Sequence, residues 1–275
     1  MVMQCWDPNF YNRSPIFEPF SYLNKFFIDS PNWPSVNDLN DLGTRRNQVI
    51  VTRSGKSVHF IPQQLGKKNQ EEKYESRIYL SGHIQTRAHN WHDFFNAIVW
   101  QVFPRSKSKL NEIHYQTQLT ELENSINKRS AIRDAATLFD ESGIIVFSSN
   151  KALIQLLESF EWKELFWKHR ENVLSSMLFV VFGHGLYEKA LNPYTGMTGK
   201  GIIFKVKHDY FSKTLSDQLL LADTMLESFL SHTLLSSACL TPVPLLGYPG
   251  WFRENESELY YDNKRYFRDQ RKIPI

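Results

Sequence analysis

Only two cysteines occur in this 275-residue chain, Cys5 and Cys239, far apart and with no companion at metal-ligand spacing. That argues against a disulfide framework and against a Cys-type zinc site, and it fits a reducing compartment. Long apolar runs are also missing. The most apolar segment, "VLSSMLFVVFGHGL", holds a His and two Ser and falls short of the roughly 20 residues a membrane span needs, so it is expected to be a core helix. The opening "MVMQCWDPNFYNRSPIF" shows neither the basic region nor the apolar stretch of a signal peptide, and the expected location is the cytoplasm. Charge of one sign is lacking too: 32 Lys and Arg stand against 29 Asp and Glu, for a net charge of +3. This is short of the basic stripe of a dedicated duplex-DNA binder.

Aromatic residues are abundant, with 7 Trp, 12 Tyr and 20 Phe. Such rings bury large areas, but each Trp N–H and Tyr O–H then needs a partner. Residues 1–47 are rich in Pro, Asn and aromatics and read as an arm carrying short helices at "FSYLNKFFI" and "SVNDLNDL". Residues 48–275 read as a single globular domain, without internal repeats or a low-complexity linker. "QVIVTRSGKSVHFI" alternates as a hairpin over about 48–61, turning at Ser54-Gly55. "GKKNQEEKYE" is a polar connector. A helix from Trp91 to Phe103 stops at Pro104, and a second, amphipathic one follows with Leu110, Ile113, Leu119 and Leu122 on one side. "DAATLFDESGIIVFSS" reads as a second hairpin, over 136–149. Dense helix is expected over 150–191, then a strand at "GMTGKGIIFKV", a helix over 212–235 and an irregular C-terminal arm wrapping back across the body. The fold class is therefore α+β and mainly helical.

Within "TRAHNWHDFFNAIVW", Asn90 is a natural N-cap and Asp93 falls at N3, as in a capping box that also suits the helix dipole. Capping explains His92 and Asn96 less well. They share a face at i and i+4, on a helix where nine of the thirteen residues from Trp91 to Phe103 are apolar. Polar groups buried there must find partners or cost roughly 1–3 kcal/mol each. They form either a structural network or a site. "FGHGLYEKAL" repeats the pattern with His184 and Glu188, which could ligate one cation or work as a proton-transfer pair. The plain alternative is a core His paired to its own helix. Gly183 and Gly185 flank that His and imply a close approach by a neighbouring backbone or a ligand. In "RDAATLFDESG", Asp140 and Glu141 read as ordinary turn residues. Asp134, ahead of them, is a candidate metal ligand.

Several familiar motifs are excluded. "TGMTGKG" lacks the first Gly and the terminal Ser or Thr of a P-loop, and there is no G-x-S-x-G, H-E-x-x-H or dinucleotide fingerprint. The His92-Asp93 dipeptide lacks the companion residues of an HD-type phosphohydrolase. "WKELFWKHR" could stack bases, although its spacing is equally that of an amphipathic helix. "KRYFRDQRK" could contact phosphates through Lys264, Arg265 and Arg268, although a solvated terminus explains it as well.

Taken in order, "YESRIYLSGHIQTRAHNWHDFFNAIVWQVFPRSKSKLNEIH", "RDAATLFDESGIIV", "WKELFW", "FGHGLYEKALNPYTGMTGK" and "PLLGYPGWFRENESELYYDNKRYFR" resemble the bacterial domain-of-unknown-function family 3025 over roughly residues 70–270. Gly185 stands where the family pattern has Ala. The resemblance brings no assigned activity, cofactor or catalytic residue.

Two functions of different classes remain. One is a hydrolase, with the phosphoester class suggested only by the mildly basic balance. In it His92, Asp93, Asn96, His184 and Glu188 share a catalytic pocket, and His92, His184, Glu188 and Asp134 hold a divalent metal. The other is a non-catalytic binder of nucleic acid or protein, using surface aromatics and the basic tail. The geometry separates them: the single-site reading requires His92 and His184 within about 10 Å of each other.

Overall fold

The computed structural model describes residues 5–45, 48–64, 73–124 and 129–270. In chain order the elements are α1 (Val36–Arg45), β1 (His59–Pro62), α2 (Tyr74–Ser81), β2 (His83–Thr86), α3 (Trp91–Val102), α4 (Pro104–Glu123), α5 (Ala131–Ser142), β3 (Gly143–Ser148), α6 (Lys151–Glu158), α7 (Arg170–Ser176), β4 (Met177–Val181), α8 (His184–Ala190), β5 (Thr198–Lys205), α9 (Leu215–His232) and β6 (Thr241–Pro244). The fold is α+β and mainly helical, with one two-stranded and one four-stranded sheet. Among the described residues no helix is long and apolar enough to cross a membrane.

The larger sheet has the order β4-β3-β5-β6. β3 is buried along its whole length and pairs antiparallel to β4 and parallel to β5. A strand buried on both faces reads as a continuous apolar run, and "GIIVFS" does. The edge strand β4, "MLFVV", is similarly apolar, which corrects the expectation of a core helix through residues 173–186. Five consecutive Met, Leu, Phe and Val residues have no polar face to give a helix, and β3 supplies the hydrogen-bond partner they need.

Two hairpin expectations are also corrected. Residues 131–142 form helix α5 and run straight into β3, so there is no hairpin over 136–149. The run Ala135, Ala136 and Phe139 presents an apolar face at helical spacing, and all three are buried. Over 48–61 the turn at Ser54-Gly55 does form, with Gly55 at φ 81°, but it closes only a single antiparallel bridge, Val51 to Ser57. The strand that follows, β1, pairs parallel with β2 instead. The connector 66–75 lies largely outside the described residues.

The aromatic wealth goes into the core. In the N-terminal 3-10 turns, Phe10, Phe17 and Phe20 are buried against Phe95 of α3, and Phe17 and Phe20 also meet Tyr187 of α8. Rings this size fix the spacing of the two helices that carry His92 and His184. The Tyr187 hydroxyl donates to the Val181 carbonyl at 2.6 Å, which ties α8 back onto β4. The C-terminal stretch packs by the same means. Tyr261 donates to the Gly247 carbonyl and Tyr266 to the Met197 carbonyl, at 3.0 and 2.7 Å.

Candidate metal centre

Three short junctions bring the polar residues together. α3 starts just after β2, and Asn90 caps it by accepting the Asp93 N–H at 3.0 Å. This places His92 in the first turn. α8 starts two residues after β4, with His184 as its first residue. α5 ends where β3 begins, so Asp140 and Glu141 lie in its last turn. Antiparallel pairing of β3 with β4 does the rest: Ile144 faces Val181, and the N–H groups of Phe182 and Gly183 both donate to the Gly143 carbonyl at 2.9 Å. The end of α5 is thereby held against the start of α8.

The glycines around His184 permit that approach. A Cβ on Gly183 would lie 2.5 Å from the backbone nitrogens of Ser142 and Gly143. A Cβ on Gly185 would lie 2.6 Å from Oε2 of Glu141 and 2.9 Å from its carbonyl oxygen. The close neighbour implied by the sequence is therefore the end of α5.

At this junction the Nε2 atoms of His92 and His184 are 3.0 Å apart. Glu141 Oε1 lies 3.7 Å from the first and 3.6 Å from the second. A point equidistant from three atoms so spaced is about 2.0 Å from each, the length of a zinc–imidazole bond. Among the described residues, His92, Glu141 and His184 are the group of His, Cys, Asp and Glu that could hold one metal ion.

The surroundings orient both rings. Glu188 Oε2 lies 3.0 Å from Nδ1 of His92. Asp140 Oδ2 lies 3.8 Å from Nδ1 of His184, a nitrogen with no hydrogen-bond partner. A neutral imidazole has one N–H. With Nδ1–H on Glu188, His92 presents the Nε2 lone pair inward. His184 then has two choices. Protonated at Nε2 it donates to His92 but turns a bare Nδ1 toward a carboxylate. Protonated at Nδ1 it turns that N–H toward the Asp140 carboxylate, 3.8 Å away, and leaves two Nε2 lone pairs facing each other, an arrangement that a cation between them would relieve.

The protonation tendencies differ sharply. Burial, opposed chiefly by Asp140, pushes His184 down to about 3, so the ring is neutral at physiological pH. The hydrogen bond that His92 donates to Glu188 raises its pKa, despite its partial burial. Burial raises Glu141, partly offset by His92. Burial also opposes ionisation of Asp140, but Lys107 and His184 outweigh it and hold the carboxyl below its usual value. Lys107 Nζ, itself buried, lies 2.5 Å from Asp140 Oδ1.

The sequence candidates therefore separate. His92 and His184 face each other, with Glu188 behind His92. Asp93 lines the cavity beside the cluster but is engaged: it takes Arg87 on both carboxylate oxygens, at 3.0 and 2.7 Å, and the Arg87 backbone N–H at 2.6 Å, in place of the second half of a capping box. Asn96 donates to the Tyr74 hydroxyl at 2.8 Å and lines the same cavity. Asp134 is displaced from the cluster. It lies in the first turn of α5, exposed and paired with Arg129 at 2.9 Å, about 10 Å along the helix axis from Glu141 by the 1.5 Å rise per residue. Lys264 is engaged by Asp269 at 2.7 Å, while Arg268 donates to the Arg265 carbonyl at 3.1 Å.

Sequence reasoning missed Glu141 and Asp140, assigning both to a turn. The signal available was the apolar spacing of Ala135, Ala136 and Phe139, which makes the segment a helix and "DE" its last turn. Beside the cluster is a cavity of about 370 Å³ lined by these residues and by Gln63, Tyr74, Glu75 and His114, among others.

A family model described as a protein of unknown function (DUF3025) matches residues 58–271. Comparison with curated proteins and with solved structures finds no match. The match takes in β1 through the C-terminal arm, including every residue of the His92, Glu141 and His184 cluster, and on that extent the chain belongs to the DUF3025 family.

Proposed function

We propose that the protein is a metal-dependent hydrolase in which His92, Glu141 and His184 hold one divalent cation. The observation that carries this reading is the common centre of the three ligand atoms, about 2.0 Å from each, as zinc bound by two imidazoles and a carboxylate requires. Glu188 supports it by orienting the His92 ring from behind, as carboxylates do behind metal-ligating histidines, and Asp140 places a second carboxylate 3.8 Å behind His184. Three protein ligands leave a coordination position for water, the pattern of catalytic rather than structural zinc. Zinc lowers the pKa of such a water to about 7 and polarises an electrophile beside it. The adjoining cavity gives a small substrate room to reach that position.

The test is metal analysis of purified protein with the His184→Ala and Glu141→Gln variants. About one equivalent of metal in the native chain, and far less in both folded variants, is the expected result. A native chain that takes up no metal from a buffered zinc solution would refute the reading. Hydrolase activity is then screened with and without chelator.

A further inference from the structure

The walls of the cavity carry information about what it admits. Glu75, Asp93, Asp140 and Glu141 line it, and Glu188 lies just behind His92. Among the described residues, Arg87 is the one Lys or Arg that lines the cavity, and Asp93 holds it in a two-point pair; Lys107, bound to Asp140, and Lys189, near Glu141, act on these carboxylates from outside the lining. Four carboxylates thus line the space against one engaged cation. A phosphate dianion entering there would find no lining Lys or Arg free of a carboxylate among the described residues.

Two neutral side chains belong to the same lining. Tyr74 brings its hydroxyl to the cavity from the start of α2, and Asn96 Nδ2 donates to that oxygen at 2.8 Å. The phenol oxygen is thus an acceptor already used by Asn96, and its own hydrogen is the donor left for a ligand. Burial, reinforced by Glu75, Asp140 and Asp93, drives the phenol well above its ordinary pKa, so it keeps this hydrogen at neutral pH. Asn96 is one helical turn beyond His92. The donor and the metal ligands therefore border one small space of about 370 Å³.

Resting on the hydrolase reading, we infer that the substrate is a small neutral carbonyl compound of the carboxamide class, with Tyr74 the donor to its carbonyl oxygen and Asn96 the positioning residue for Tyr74. A metal held there would supply hydroxide for addition to the carbonyl carbon, with negative charge developing on the oxygen facing Tyr74. As the C–N bond breaks, the hydroxide's proton would go to the departing nitrogen, and the products would be a carboxylate and an amine. A preorganised donor aimed at the developing oxyanion is a large contributor in such reactions. The carboxylates that repel phosphate impose no such charge penalty on a neutral amide.

The test uses full-length protein loaded with cobalt, whose visible spectrum reports on the metal's coordination. Acetamide serves as the neutral carbonyl probe and inorganic phosphate as the anionic one. Acetamide is expected to bind at least tenfold more tightly than phosphate. Tyr74→Phe should weaken acetamide about tenfold with cobalt affinity unchanged. Asn96→Leu should weaken it similarly, and the Tyr74→Phe, Asn96→Leu double variant should be no weaker than either single one, a non-additivity that a purely structural role for Asn96 would not produce. Should Asn96→Leu fail to fold, Tyr74→Phe, which removes one oxygen from a partly exposed ring, still decides the matter. Phosphate binding as tightly as acetamide, or a Tyr74→Phe variant with undiminished acetamide affinity, overturns the inference while leaving the metal site standing. Failure of the native chain to take up cobalt removes the hydrolase reading and this inference together.

Discussion

The cluster at the α3, α5 and α8 junction makes a quantitative prediction about stability. Its three ligand atoms come from three helices and converge only in the folded chain, so a metal bound there stabilises the native state by linkage. At free zinc a thousandfold above the dissociation constant this amounts to about 4 kcal/mol. A chain of this size gains roughly 2 °C in Tm per kcal/mol, so zinc should raise the melting temperature by about 8 °C over the chelated protein. Glu141→Gln is the informative perturbation. It is nearly isosteric, it sits on a half-exposed side chain, and it removes the one anionic ligand. The metal-free variant should melt close to the metal-free native protein, because burial already disfavours the Glu141 charge. At the same free zinc its gain should fall to about 2 °C or less, or roughly 1 kcal/mol. Differential scanning calorimetry with metal buffers measures both. An equal zinc response in native protein and Glu141→Gln would refute the assignment of Glu141, and no response in the native protein would refute the site.

The remaining predictions address the parts around it. Metal affinity should fall about tenfold per pH unit as pH drops below the raised pKa of His92, because that ring must release one proton to bind while His184, near 3, releases none. An imidazole NMR signal of His184 that titrates between pH 5 and 7 in the metal-free protein would contradict the neutral ring. Glu188→Gln should weaken metal binding 10- to 100-fold through His92 without unfolding the protein, read by competition with a chromogenic chelator. Lys107→Met leaves Asp140 buried without its cation and should cost about 3–5 kcal/mol in chemical denaturation. Asp134→Ala removes only an exposed ion pair and should leave both metal content and Tm within error, since such pairs contribute at most about 1 kcal/mol.

Local information determined a good deal here. The N-cap Asn90, the stop and restart at Phe103-Pro104, the strand at 198–205 and the helix over 215–232 follow from capping, proline chemistry and periodicity, all of which act within a few residues. The polar residue one turn from a histidine was visible on both α3 and α8, although Asn96 bonds Tyr74 and Glu188 bonds His92 across the helices instead of their own-helix histidines; the close approach demanded at Gly183 was visible too. What the sequence did not carry was partnership across the chain. The segments 131–142 and 177–181 were assigned wrongly because short apolar runs suit helix and strand alike until a neighbour supplies the hydrogen bonds. Glu141 became a candidate ligand, and Asp134 did not, because β3 pairs with β4 and lays the last turn of α5, not its first, against His184. Ninety-two residues separate His92 from His184 in sequence and 3.0 Å separates their Nε2 atoms in space, a distance set by aromatic packing between helices. Residue chemistry along the chain determined which groups could serve; the antiparallel strand pair and the ring-filled core decided which of them meet.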